Sequence, residues 1–120
     1  MAPSLEELRQ EIRAFAAARD WEKYHDPKNL TMLLASEVGE LIAEFRWLTP
    51  AEAIIATQDQ ERARRIAEEI GDVGIALLAL CDKLNLDLQS AIAAKIALNE
   101  RRYPVSAARG RPERPAESSN

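Results

Sequence analysis

The residues best suited to chemistry in this chain are carboxylates at helical spacing. Glu37 and Glu40 stand three apart in a segment whose Leu30, Leu34, Leu41, Phe45 and Leu48 recur at steps of three, four and seven. Glu37 fits that apolar series, Glu44 lies close to its centre, and Glu40 sits at its edge, one turn from Glu37. Glu69 and Asp72 repeat the pattern in a segment carrying Ile66, Ile70, Val73, Leu77, Leu80 and Leu84. Glu68 points away from that stripe, so helical geometry selects Glu69 from the adjacent pair. An ionised carboxylate on a core-facing stripe costs several kcal/mol unless it is paired or metal-bound. Clustered carboxylates also repel one another unless protons or cations intervene. Oxygen-only ligation points to a hard cation, Mg²⁺ first and Mn²⁺ second, of the kind that commonly sits with substrate phosphates. Lys95 and Asn99, four apart, intrude on a third stripe of Leu88, Ile92, Ile96 and Tyr103. Lys95 would supply a point charge for phosphate.

Composition narrows the field around these groups. The chain has 120 residues, 16 Lys+Arg against 20 Asp+Glu, and a net charge of −4. It reads as one small acidic domain, without the broad basic surface that nucleic acid requires. One cysteine, Cys81, excludes an internal disulfide framework and a Cys-rich zinc site. The single histidine, His25, follows no glutamate at the Glu-x-x-His spacing of a ferritin-like di-iron centre, which removes that carboxylate-bundle alternative. The polar, acidic opening is not a signal peptide, and no apolar run approaches the ~20 residues that cross a bilayer. The expected location is cytoplasmic, with no membrane partner.

The elements that must position the carboxylates are helices. Ser4 with Glu7 is a capping-box signal opening a helix over about 4–19. Asp26 before Pro27 caps a long second helix expected to reach about Trp47. Thr49-Pro50-x-Glu52 opens a short helix, a long one covers about 59–83, and Asp87 caps a last one ending at Tyr103-Pro104. Gly71 and Gly74 weaken the fourth helix by roughly 1 kcal/mol each relative to Ala, tolerable where another helix or a ligand comes close. The fold expected is all-α: a domain over 1–105 followed by a flexible, polar tail over 106–120. A short bundle with core-facing carboxylates gains from burying a second chain's helices, so at least a dimer is expected.

The spacing E37-V-G-E40 with E69-I-G-D72 resembles the E-x-x-E…E-x-x-D signature of the MazG-like, all-α nucleoside triphosphate pyrophosphohydrolases. The segments FAAARDWEKYHDPKNL, SEVGELIAEFRWL, AEEIGDV and KIALNERRYP are similar to the dCTP pyrophosphatase branch, and the resemblance runs from about residue 5 to 104. It implies a helical bundle whose four-helix core is completed by oligomerisation, as a homodimer or homotetramer. It implies hydrolysis of a (d)NTP, dCTP or a modified dNTP, between the α- and β-phosphates, giving a monophosphate and pyrophosphate in nucleotide-pool sanitation. It further implies Mg²⁺ on Glu37, Glu40, Glu69 and Asp72. Lys95 and Asn99 would contact phosphate or sugar, Tyr103 would assist, and Trp21 and Trp47 would flank the base. Read from the residues, Arg102 could reach phosphate or, with Arg101, only cap the negative end of the last helix. From the residues alone the two tryptophans could instead be packing anchors, and a carboxylate among the four, or Glu44, could take the water's proton. Two positions depart from the dCTP-preferring pattern: Ala76 stands where such relatives carry a tyrosine, and Ile12 where they carry a histidine. The hydrolytic machinery is therefore better supported than the choice of cytosine. The alternatives are a phosphoribosyl-ATP pyrophosphohydrolase, against which the RDW segment and Trp47 argue, and a catalytically idle nucleotide-binding helical module.

Overall fold

The helix boundaries follow from local capping chemistry. In the computed structural model, which describes residues 1–113, α1 (Leu5–Ala18) begins where the Ser4 hydroxyl accepts the Glu7 backbone N–H at 3.1 Å. Only half of the expected capping box forms there, because the Glu7 carboxylate accepts the Ser4 hydroxyl instead of the Ser4 backbone N–H. Asp20 then takes a left-handed conformation (φ 56°) that a short polar side chain tolerates. A single 3₁₀ turn, Glu22–Tyr24, fills the connection. Asp26 caps α2 (Pro27–Ala43) by accepting the Asn29 backbone N–H at 2.9 Å, with Pro27 in the first turn.

α2 stops earlier than the apolar pattern suggests. The Glu44 and Phe45 N–H groups bond to the carbonyls three residues back, Leu41 and Ile42, and these tighter bonds close the helix before Trp47. Thr49 and Glu52 form a complete capping box on α3 (Pro50–Ile54), and a 3₁₀ turn, Ala56–Gln58, follows. Asp59 caps α4 (Gln60–Lys83) through the Glu61 and Arg62 N–H groups. Asn85 closes it in the left-handed region (φ 55°).

The chain falls into two compact units, Met1–Asn85 and one beginning at Leu86. In the first, α2 packs chiefly on α4, and α1 packs on a different face of α4. Its buried residues are few and mostly small: Ala16, Leu30, Ala56, Ile66, Ala76, Leu78 and Cys81. Cys81 is the small core residue its sequence context suggests. Leu30 is the one large side chain fully enclosed, and its truncation to Ala would cost about 2–5 kcal/mol. Ile70, expected on the core stripe of α4, is 56% exposed, and Leu84 is also exposed. The stripe rule counts every apolar position as inward, whereas α4 presents one line to α2, another to α1, and leaves the directions between them open.

Two arginines fix α1 to α4. Arg9 and Arg13 both donate to Asp82, the Arg13 Nε at 3.1 Å from Oδ2, and the Asp82 side chain is only 14% exposed. Between the same helices lies an apolar groove of about 540 Å³, lined by Leu5, Leu8, Ile12, Phe15, Gly74 and Ile75 among others. Gly71 also lines it, and a Cβ at Gly71 or Gly74 would meet nothing within 4 Å. The close approach expected at these glycines is therefore not made among the described residues.

The second unit holds α5 (Leu88–Arg102) and the short α6 (Val105–Ala108). Asp87 caps α5 by accepting the Ser90 backbone N–H at 2.9 Å. None of the α5 residues is buried, so its expected stripe of Leu88, Ile92, Ile96 and Tyr103 stays partly in solvent. The expected tail over 106–120 opens inside α6, and residues 114–120 lie outside the described residues. Among the described residues no helix is long and apolar enough to cross a membrane.

Candidate metal and nucleotide site

The α2–α4 interface is a ladder of charged rungs. On α4, Arg65, Glu69, Asp72 and Ala76 follow at steps of four, three and four, which sets them on one line of the helix. That line meets Glu44, Glu40 and Glu37 read backwards along α2, so the two helices run antiparallel. Arg65 Nε donates to Glu44 Oε2 at 3.3 Å on the first rung. The Glu69 carboxylate feels Glu40 and Glu37, and Asp72 acts on both Glu37 and Glu69.

Glu37, Glu40 and Glu69 each offer an oxygen within 4.8 Å of the others. Asp72 stands outside that tight group but contributes its charge to it. Glu37 and Glu69 are half-buried, whereas Glu40 and Asp72 are exposed. Glu37 and Glu69, expected on the apolar stripes, thus sit at the edge of the core, with Glu40 and Asp72 outside it as their flanking positions suggest, and among the described residues no charged side chain is fully buried. Edge placement spares them full desolvation while still removing part of their water.

Burial raises the Glu37 carboxyl above its ordinary range, and the charges of Asp72 and Glu40 push it further. Burial likewise leads the upward shift of Glu69, followed by Glu40, Asp72 and Glu37. Glu69 Oε2 is shielded from solvent and has no hydrogen-bond partner. A shielded carboxylate oxygen with no donor, facing two more carboxylates, is suited to a hard divalent cation. The all-oxygen donor set fits Mg²⁺ or Mn²⁺ and lacks the imidazole or thiolate that would favour zinc.

The remaining candidates divide between the two units. Trp21 lies edge-on to Phe15, ring centroids 5.7 Å apart at 70°, and is partly exposed. Trp47 is 83% exposed, with the Arg46 guanidinium 5.3 Å from its ring centre. Ala76, at the end of the α4 line, is buried, and Ile12 lines the α1–α4 groove. In the second unit, Lys95 and Arg102 are exposed, Asn99 is half-buried, and Tyr103 ends α5 by donating its backbone N–H to the Asn99 carbonyl at 2.7 Å. Lys95, expected on the inward stripe of its helix, is thus on an exposed face of α5.

Sequence reasoning overlooked Arg65. The signal was present: Arg65 precedes Glu69 by one turn just as Glu44 follows Glu40 by one turn. Glu44, weighed as a proton acceptor, is also the partner of this arginine.

Comparison with known proteins agrees with this architecture. The model of the MazG-like family matches residues 33–114. The chain is 45% identical over 109 residues to dCTP pyrophosphatase 1 of Rattus norvegicus, covering 90% of this chain and 64% of that protein. It is 41% identical over 107 residues to dCTP pyrophosphatase 1 of Homo sapiens, covering 89% of this chain and 63% of that protein. The chain therefore spans less than two thirds of the length of these curated relatives. A crystal structure of a pyrophosphatase from Archaeoglobus fulgidus superposes with a TM-score of 0.77 at 38% identity, over 87% of this chain and 95% of that one.

Proposed function

The chain belongs to the MazG-like family, and from that membership we propose that it is a divalent-metal-dependent nucleoside triphosphate pyrophosphohydrolase. Its substrate is a (d)NTP, dCTP or a modified dNTP, cleaved to the monophosphate and pyrophosphate, with removal of unwanted nucleotides as the cellular purpose. The observation that carries this reading is the meeting of Glu37, Glu40 and Glu69 oxygens within 4.8 Å across α2 and α4. The activity named for the rat and human relatives supports the choice of nucleotide.

In this reading Glu37, Glu40, Glu69 and Asp72 hold Mg²⁺. When bound, the cation neutralises phosphate oxygens and lowers the pKa of a water molecule. The chain's own contribution is to position and to balance charge, which is most of what phosphoryl transfer asks of a protein. Exposed Trp47 offers a face for the base, and Trp21, Lys95, Asn99, Arg102 and Tyr103 are the further substrate-binding candidates.

The same reading includes self-association into a dimer or tetramer. Its support is the exposed apolar surface of the first unit, including Phe15, Ile42, Ile70 and Ile75, and the open groove at Gly71 and Gly74. The test of function is a panel of canonical and modified dNTPs with Mg²⁺, products separated by chromatography. Monophosphate and pyrophosphate in equal amounts is the expected result, and release of pyrophosphate from none of them refutes the reading.

A further inference from the structure

The charged line of α4 continues past its carboxylates to Arg65, and Arg65 is held more loosely than Arg9, Arg13 and Arg64. Arg9 and Arg13 are anchored on Asp82, and Arg64 is gripped by both Glu61 and Glu68. Arg65 makes one long hydrogen bond, Nε to Glu44 Oε2 at 3.3 Å, and its other close acidic neighbour, Glu61, is 3.9 Å from NH1, beyond hydrogen-bonding distance. Most of its N–H donors are therefore unspent on an arginine that is 40% exposed.

Its position makes the loose attachment informative. One helical turn from Glu69, a fixed positive charge weakens the pull of the carboxylates on a cation. It therefore works against the metal site if it serves the carboxylates alone. It works for the site if an anion is the second guest. A guanidinium fork matches the paired oxygens of a phosphate, and Arg keeps its charge at any pH the protein meets.

We propose that Arg65 is a substrate-binding residue that leaves Glu44 and takes a non-bridging phosphate oxygen when a metal-bound nucleotide settles on the α2–α4 ladder. Glu44, only 18% exposed, keeps the fork parked beside the site until then. This inference rests on the pyrophosphohydrolase reading above.

The test compares Arg65→Gln, Arg65→Lys and Glu44→Gln in the full chain, using dCTP with Mg²⁺ and added inorganic pyrophosphate as inhibitor. Arg65→Gln is expected to raise the KM for dCTP and the inhibition constant of pyrophosphate by about tenfold or more, the worth of a charge-assisted hydrogen bond. Mn²⁺ binding without nucleotide, followed by calorimetry, stays within about twofold or tightens, because a competing positive charge is gone. Arg65→Lys recovers part of the affinity, and Glu44→Gln lowers KM by freeing the fork. Equal losses of Tm in Arg65→Gln and Glu44→Gln with KM unchanged would overturn the proposal, as would loss of Mn²⁺ binding in Arg65→Gln. Wild-type protein that turns over dCTP beside an unaltered Arg65→Gln refutes the Arg65 role alone. Wild-type protein that neither binds nor cleaves any nucleotide refutes the functional reading and this role together.

Discussion

Glu37 on α2 and Glu69 on α4 bring carboxylate oxygens within 4.8 Å of each other, and both side chains are half-withdrawn from water. Burial is the first cause of the upward shift in each, and neighbouring negative charge is the second. Helix packing alone gains nothing from this arrangement, which makes sense when a cation occupies the space between the oxygens.

The metal-free protein should therefore lose stability as pH rises. A carboxyl whose folded pKa is raised holds its proton more tightly folded than unfolded, so the folded state is penalised from about the ordinary value of 4.5 upward until the folded group has ionised. Thermal melts between pH 4.5 and 8 in a chelator should show Tm falling from about 4.5 upward and levelling once Glu37 and Glu69 have ionised, and Mg²⁺ should flatten the fall. A chelated protein whose Tm rises steadily over the same range would contradict the assignment.

Asp82 should behave in the opposite sense. Arg13, and then Arg9, hold its carboxyl below the ordinary range, so its contribution is complete above about 3.8 and disappears as pH falls through the lower folded value. Asp82→Asn should cost about 1–3 kcal/mol at neutral pH, with Tm lowered by several degrees. Well below the melt, kcat and KM should remain as in the wild type, because the clamp joins α1 to α4 away from the carboxylate ladder.

The two tryptophans should differ in stability, because Trp21 meets Phe15 edge-on and Trp47 is largely exposed. Trp47→Ala removes an exposed ring and should leave Tm nearly unchanged while raising KM by a factor matching about 1–3 kcal/mol of base stacking. Trp21→Ala removes an edge-on partner of Phe15 and should lower stability by about 1 kcal/mol. Melting curves and steady-state kinetics on both variants decide the matter, and a Trp47→Ala protein with unchanged KM would exclude that ring from the site.

Capping residues made much of this fold legible. Ser4, Asp26, Thr49, Asp59 and Asp87 each accept the backbone N–H groups of the helix they precede, because a free helix N-terminus demands acceptors whatever the tertiary context. The carboxylate pairs were legible for a related reason, since their spacing is fixed by the helix itself. What escaped was set by contacts between elements. The early stop of α2 depends on local bonds to Leu41 and Ile42, and Ile70 is exposed because neither α1 nor α2 covers that direction of α4. Arg65 was missed because an arginine in a charged segment reads as solvent-facing until the antiparallel partner supplies Glu44.

The most direct test of the carboxylate centre is Glu40→Gln, an exposed position where the substitution removes a charge without disturbing the core. Mg²⁺-dependent cleavage of dCTP is measured for wild-type and variant protein, with pyrophosphate quantified in each. The wild type should release one pyrophosphate per monophosphate, and Glu40→Gln should keep its Tm while turnover falls about a hundredfold or more, a loss of the size expected when a metal ligand is removed. Full turnover by Glu40→Gln would contradict a metal centre built on Glu37, Glu40 and Glu69.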